Sequence, residues 1–327
     1  MKVSVVIPNY NGEGYLRDCL TTLNMQTYKD FEIILVDNGS DDCSVKLAQE
    51  IIPNIKCIKL EANSGFSKAV NIGIRQAQGI YVVLLNNDTI LTKTWLERLV
   101  HCIENNRNAF SVGSKMIQHF NRMKIDNAGD ALTIFGSCYQ EGHGSSADSF
   151  TENRSVFTVC AGAAIYRKDL LIELGLFDEE FFAYLEDVDI GYRARINGYE
   201  NIYCSQALLY HIGSATTGSG YNSLKVKLSS RNNVYLLYKN MPILQLILNA
   251  PFILLGFLFK ARFYKAIGFY SEYIEGIKEG VKTRSNVKKN RYELKKTIYF
   301  LRVQGWLLAK GMVFGLKKVK QMMKIEN

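Results

Sequence analysis

The chain has 327 residues, 47% of them hydrophobic and 22% charged, the profile of a globular protein with room for one large domain and an appendage, or for two domains. Its 19 Tyr and 17 Phe disfavour long disorder, and its seven Cys, scattered and without a C-x-x-C pair, argue against a disulfide framework or zinc site and for a reducing cytosol. The net charge of +9 is uneven: residues 260–327 carry 17 Lys/Arg against 5 Asp/Glu, whereas residues 1–259 carry 23 against 26, an asymmetry that points the tail at a polyanion, either nucleic acid or an anionic membrane.

Met1–Pro8 reads as a strand and lacks the charged head, long apolar stretch and cleavage site of a signal peptide. The β-branched run Val3–Ile7 predicts a buried parallel strand. Helices predicted over 12–28, 44–51, 67–78 and 92–105 alternate with strands over 31–36, 55–60 and 81–85. That alternation implies an α/β fold with a mainly parallel sheet and right-handed crossovers. Residues 117–150, rich in Gly, Ser and Asn, suggest irregular β structure. A strand over 156–166, helices over 168–174 and 187–197 and a strand over 202–211 follow.

The tail differs in character. Residues 241–259 hold no charge, and as a helix would span about 28 Å, close to the ~30 Å of a bilayer core. Gln245, Asn249 and Pro251 interrupt it, so spanning, re-entering and lying on the bilayer all stay open. Segments 260–270, 291–300 and 306–323 mix aromatic and aliphatic residues with Lys and Arg, the composition of a helix in a membrane interface.

Three acids stand at or beside apolar runs: Asp37 after Phe31–Val36, Asp88 after Tyr81–Asn87, and Asp187 after the aromatic-rich stretch 177–185. Ligands of open α/β sheets bind outside the carboxyl ends of the strands. Asp37 there either caps a turn or accepts a hydrogen bond from a pyrimidine N–H. Asn86-Asn87-Asp88 is either a turn cap or an oxygen-rich metal and diphosphate site, to which Mg²⁺ or Mn²⁺ is suited. Glu186, Asp187 and Asp189 either complement a helix dipole or include a general base whose shielded surroundings raise its pKa. Pro8–Gly12 is a βα turn with backbone N–H groups to offer a phosphate, but it is not G-x-G-x-x-G. Asn63 and Asn71 flank a predicted helix start, and His211 ends a strand before a Gly/Ser/Thr loop.

Taken in order, IPNYNG (7–12), VDNGSDD (36–42), EANSGFSKAVNIGI (61–74), LLNNDT (84–89), CAGAAIYRKDLL (160–171), GLFDEEFFAYLEDVDIGYRARINGY (175–199) and HIGSATTG (211–218) resemble the family 2 glycosyltransferases of GT-A fold. The likeness is nearest to the bacterial group that includes rhamnosyltransferases for O-antigen and capsule, and it covers residues 1–240. It implies that Pro8, Tyr10 and Asp37 hold the nucleobase and ribose. It implies that Asn63, Gly65, Phe66 and Asn71, with Asn86 and Asn87, line the donor pocket. Asp88, the one acid left of a D-x-D motif, and His211 would bind Mn²⁺ or Mg²⁺. Asp187 would be the catalytic base, with Tyr184 and Glu186 on the acceptor side. The implied reaction is inverting transfer of a sugar from dTDP-rhamnose or a UDP-hexose to a hydroxyl of a growing, lipid-linked or oligosaccharide acceptor. Asp187 takes the hydroxyl proton, and the metal neutralises the departing diphosphate.

On this reading, residues 1–240 form the transferase domain and 241–327 a basic, helical, membrane-associating region. The protein would be cytoplasmic and peripheral at the inner face of the cell membrane. A soluble helical lid or a homo-oligomer contact is the alternative for the tail, and nucleic acid lacks a recognisable module. The rival functions are a non-catalytic, membrane-docked nucleotide-sugar-binding protein and a sugar-nucleotide pyrophosphorylase. The latter's Gly-rich, Arg/Lys-bearing N-terminal loop is missing.

Overall fold

A computed structural model describes residues 1–213 and 221–323. β1 (Val3–Asn9) leads through α1 (Glu13–Asn24) to β2 (Phe31–Asp37), α2 (Ser44–Ile51), β3 (Lys56–Lys59), α3 (Phe66–Gln76), β4 (Tyr81–Leu85), β5 (Thr89–Leu91) and α4 (Trp95–Asn105). The long β6 (Ala109–Gln118) is followed by the short β7 (Ile125–Asn127), β8 (Asp130–Leu132), β9 (Cys138–Gln140) and β10 (Arg154–Val156). β11 (Ala163–Arg167), α5 (Lys168–Glu173), α6 (Glu186–Ile196) and β12 (Glu200–His211) complete the sheet region. Four helices close the chain: α7 (Ser223–Asn240), α8 (Ile243–Ala266), α9 (Tyr270–Thr283) and α10 (Thr297–Met323).

The main sheet has the order β10-β12-β6-β11-β4-β1-β2-β3, with β5 attached to β12 and β7 to β6. β4, β1, β2 and β3 run parallel, and β11 lies antiparallel between β4 and β6. Helices cover both faces of the parallel half. Val3, Val5 and Ile7 face Leu16, Leu20, Trp95 and Leu99, while Val6 joins Val36, Val70 and Ile74 on the other side. Burial on both faces is why these strands are continuous apolar runs rather than alternating ones. It is also why the three polar residues at their carboxyl ends, Asn9, Asp37 and Asp88, stand out.

The predicted strand 156–166 is two strands, β10 and β11. Between them the chain turns at Cys160-Ala161-Gly162, where Gly162 receives the backbone N–H of Asn86 at 2.8 Å. The first predicted helix stops at Asn24, and the fourth starts at Trp95. The tail forms longer helices than its composition suggested: α8 runs unbroken past Pro251, and α10 from Thr297. Its helices pack onto the sheet region. Val303 and Leu307 of α10 share one apolar cluster with Leu132, Phe157 and Tyr192. At Gly256 of α8 a Cβ would stand 2.0 Å from the carbonyl oxygen of Phe135, so only glycine lets the two backbones approach.

Candidate active site

The parallel strand ends are joined by a chain of buried hydrogen bonds. Asn87 Nδ2 donates to Asn9 Oδ1 at 2.7 Å, and Asn9 Nδ2 donates to Asp37 Oδ1 at 3.2 Å. Ser40 Oγ donates to the same Asp37 oxygen at 2.5 Å. Asn9 links two expected donor residues, and the sequence reading missed it; its signal was an amide closing an otherwise apolar strand. Pro8 and Tyr10 flank it and are half-buried.

The next loop is knitted to the same edge by Asn38. Its Nδ2 donates to Asn63 Oδ1 at 3.0 Å and to Gly65 O at 3.3 Å, and its Oδ1 accepts from Ser64 N at 2.9 Å. Gly65 has φ +87°, and a Cβ there would lie 2.6 Å from the Phe182 ring. The loop carrying Asn63, Gly65 and Phe66 therefore touches the segment that leads to Asp187. Asn71 departs from expectation. Its Nδ2 donates to Phe177 O and Glu179 Oε1, and its Oδ1 accepts from Phe177 N. With its amide committed, Asn71 fixes residues 177–179 instead of offering a donor to a ligand.

Asp88 and His211 meet because β5 pairs antiparallel with β12, which sets Thr89 opposite His211. His211 Nε2 lies 3.4 Å from Asp88 Oδ1, and its Nδ1 lies 2.8 Å from Asp126 Oδ2 on β7. Burial opposes the imidazolium, but the hydrogen bonds to Asp126 and Asp88 outweigh it and carry the His211 pKa up to about 10. Asp88 Oδ1 is buried, and its polar neighbour is His211 Nε2, whose approach is too poorly aligned to satisfy it as a hydrogen bond of good geometry. A poorly satisfied carboxylate oxygen beside an imidazole whose far nitrogen is held by a second carboxylate is a donor set that fits a divalent cation, which would take the place of the proton on Nε2.

Asp187 is the second residue of α6. Its Oδ1 accepts from Val188 N at 2.8 Å and its Oδ2 from Ala161 N at 3.3 Å. Ala161 adjoins Gly162, so Asp187 stands beside the end of β4. Burial raises its pKa against the lowering effect of those hydrogen bonds. Asp130, Cys160 and Asp187 each bring an acidic atom within 4.8 Å of the others. Burial, then the Asp187 charge, holds Asp130 well above the carboxylate range, and burial does the same to the Cys160 thiol. Glu186 is buried, its Oε2 has no hydrogen-bond partner, and burial pushes its pKa well up. Tyr184, two residues before it, is half-buried. Residues 214–218 of the motif that begins at His211 lie outside the described residues.

The family model for glycosyl transferase family 2 matches residues 4–175, just over half of the chain. The chain belongs to glycosyl transferase family 2. The match covers the ends of β1, β2 and β4, whereas Asp187 and His211 lie beyond it. The O-antigen biosynthesis protein RfbC of Myxococcus xanthus is 28% identical over 226 residues, 66% of this chain and 18% of that protein. This glycosyltransferase spans less than half the length of the curated relatives it matches. Its fold is that of GT-A transferases. S. aureus TarS 1–349 in complex with UDP-GlcNAc superposes with a TM-score of 0.56 at 18% identity over 90% of this chain and 94% of that one. GalNAc-T7 with UDP, GalNAc and Mn²⁺ gives 0.59 at 20% identity over 72% and 47%. The expected α/β class with C-terminal helices is thus found.

Proposed function

We propose that this glycosyltransferase moves a sugar, with inversion, from a nucleotide-diphosphate donor to a hydroxyl of a growing cell-surface polysaccharide. The observation that carries the reading is a pair of acids in different surroundings: Asp88, buried after β4 with His211 Nε2 at 3.4 Å, and Asp187 on α6, raised in pKa beside the end of β4. The Asn9–Asp37 pair and the Asn63–Phe66 loop receive the nucleoside. Asn86 and Asn87 face the diphosphate. Asp88 and His211 are the residues that would hold Mn²⁺ or Mg²⁺, and that cation, when bound, supplies charge neutralisation for the leaving diphosphate.

Asp187 accepts the proton of the attacking hydroxyl. Burial raises its pKa above the ordinary aspartate value, the direction that strengthens a base, and general-base assistance contributes ~10²–10⁴-fold. Inversion follows from a single in-line displacement, because no second nucleophile takes part. Tyr184 and Glu186 stand on the acceptor side of Asp187. RfbC and the resemblance to rhamnosyltransferases favour a polysaccharide acceptor and dTDP-rhamnose. The UDP-GlcNAc of the TarS complex keeps UDP-hexoses as the second donor class.

The tail would hold the enzyme at an anionic membrane, where a lipid-linked acceptor is presented. α8 supports this, since Ile243, Leu244, Ile247, Leu254, Leu258 and Phe259 are exposed along it. The test is a screen of sugar nucleotides for release of nucleoside diphosphate, with and without Mn²⁺ and a lipid-linked acceptor. Metal-dependent, acceptor-stimulated release from one donor supports the reading. Nucleotide binding without turnover of any donor would leave a binding protein instead.

A further inference from the structure

The segment 182–185 that delivers Asp187 is strained. Phe182, Tyr184 and Leu185 have φ of 61°, 73° and 68°, a region that non-glycine side chains rarely adopt. Nothing in their sequence prefers it, so the surroundings must impose it. The restraint comes mainly from α7, which the proposed chemistry does not use. Asn232 Nδ2 donates to Phe181 O at 2.8 Å, Ala183 O at 2.8 Å and Tyr184 O at 2.7 Å. Arg231 Nη2 donates to Glu180 O at 3.1 Å and Phe181 O at 3.0 Å, and Ser67 N of α3 donates to Phe182 O at 3.2 Å. Every carbonyl from 180 to 184 thus meets a donor from α7 or α3. Asn232 is fully buried. Its orientation is fixed, because three carbonyls demand its NH₂ side while its Oδ1 accepts from Arg231 Nε at 3.0 Å.

We infer that Asn232 is a positioning residue for the transfer: it holds residues 181–184 in a turn that the chain would otherwise leave, and so sets where Asp187 stands against the acceptor hydroxyl. The inference deepens the role proposed for Asp187 and rests on it. Two hydrogens shared among three carbonyls make a tight focus that a smaller side chain cannot reproduce. A misplacement of about 1 Å at a catalytic group costs on the order of 10²-fold in rate. The Asn9–Asp37 pair at β1 and β2 makes no hydrogen bond to this clamp, and the Asn63–Phe66 loop meets it only beside Phe182, so nucleotide affinity should change far less than kcat.

The test compares wild type, Asn232→Ala and the double variant Asn232→Ala/Leu185→Gly in the full chain. Turnover, nucleoside-diphosphate binding and hydrogen exchange of the 182–189 amides are measured, with melting curves as a check on folding. Expected for Asn232→Ala are kcat lower by about 10²-fold, nucleotide Kd unchanged within a factor of about three, and faster exchange over 182–189. Glycine at 185 accepts φ 68° without steric cost, so the double variant should recover part of the lost kcat. Wild-type turnover and exchange in Asn232→Ala would overturn the inference. So would parallel losses of kcat and nucleotide affinity, which mark general unfolding. If wild type turns over no donor, the transferase reading fails, while the exchange measurement still decides whether Asn232 holds the loop.

Discussion

Glu186, Asp187 and Asp189 lie within four residues, yet each meets a different environment. Asp189 is fully buried; burial would raise its pKa, but Arg193 at 2.7 Å and Lys239 at 2.9 Å keep it below the usual range. It is a structural anion that ties α6 to α7. Among the described residues Asp187 has no such cations, and burial raises its pKa, which is why the proposed mechanism gives the proton to it. Asp187→Asn should keep the fold and nucleotide binding but lower kcat by ~10²–10⁴-fold, read by single-turnover kinetics with saturating donor; wild-type turnover would remove Asp187 from the chemistry. The pH dependence has a definite sign. The base works deprotonated, so kcat should fall on the acid side through a pKa above the ordinary aspartate range, and Asp187→Asn should lack that limb. Glu186 gives a stability prediction. Its folded pKa is raised above the ordinary 4.5, so the folded state holds the proton more tightly than the unfolded chain. That stability is complete below the ordinary value and is lost as pH rises through the folded one. Glu186→Gln, which copies the neutral form, should therefore gain in Tm relative to wild type as pH rises. Parallel melting curves across the pH range would contradict the buried, neutral assignment.

At the scale of elements, the candidate cation site is made by strand register. β5 sets Thr89 against His211, and β7 brings Asp126 to the other imidazole nitrogen. A carboxylate behind a ligating histidine fixes its ring and its tautomer, and losing it typically costs 10–100-fold in metal affinity. Asp126→Ala should weaken Mn²⁺ binding in the presence of nucleoside diphosphate by about that factor, measured by Mn²⁺ paramagnetic resonance without any turnover. Unchanged affinity would make Asp126 a bystander. These elements also show how far the sequence could be read. Asp37, Asp88 and His211 were visible because each ends an apolar strand, and strand ends are where open sheets bind ligands. Asp126 was not, because β7 has three residues and its place beside His211 depends on its neighbour β6 pairing with distant β12. Asn232 sits in the middle of a long helix, where an amide carries no local signal. Asn71 carried the right chemistry for a ligand but is turned to residues 177–179, a direction set by the packing of α3 against a loop more than a hundred residues away. The break at 160–162 was missed because small apolar residues continue the β-like composition through a turn.

The whole molecule has a sheet region of net negative charge and a positive, apolar tail, and α8 shows how the two meet. One side of α8 is polar and committed: Gln245 Nε2 donates to Gln304 Oε1 at 2.8 Å, and Asn249 exchanges hydrogen bonds with Gln304 at 3.0 and 2.8 Å. Gln245 and Asn249, two of the three residues that interrupted the apolar run, therefore form the seam to α10 inside the protein, whereas Pro251 is exposed. The opposite side is exposed, with Leu254 61% and Leu258 57% accessible, and α10 adds Leu301 at 61%. A helix crossing the bilayer would have to part this seam and the Gly256–Phe135 contact. A helix lying in the interface keeps both and buries only the apolar side. Full burial of one such leucine contributes about 1.5–3 kcal/mol, and each Lys or Arg near anionic lipid about 1 kcal/mol, so several residues acting together suffice for stable attachment. Wild type should float with phosphatidylglycerol-rich vesicles, less so in high salt. Leu254→Glu/Leu258→Glu should remain with the soluble fraction while releasing nucleoside diphosphate normally on a soluble acceptor, because neither leucine touches the strand ends. Flotation of the double variant equal to wild type would exclude this face as the lipid contact. A wild type that does not float and elutes as a dimer broken by the same substitutions would assign the face to a second copy of the chain.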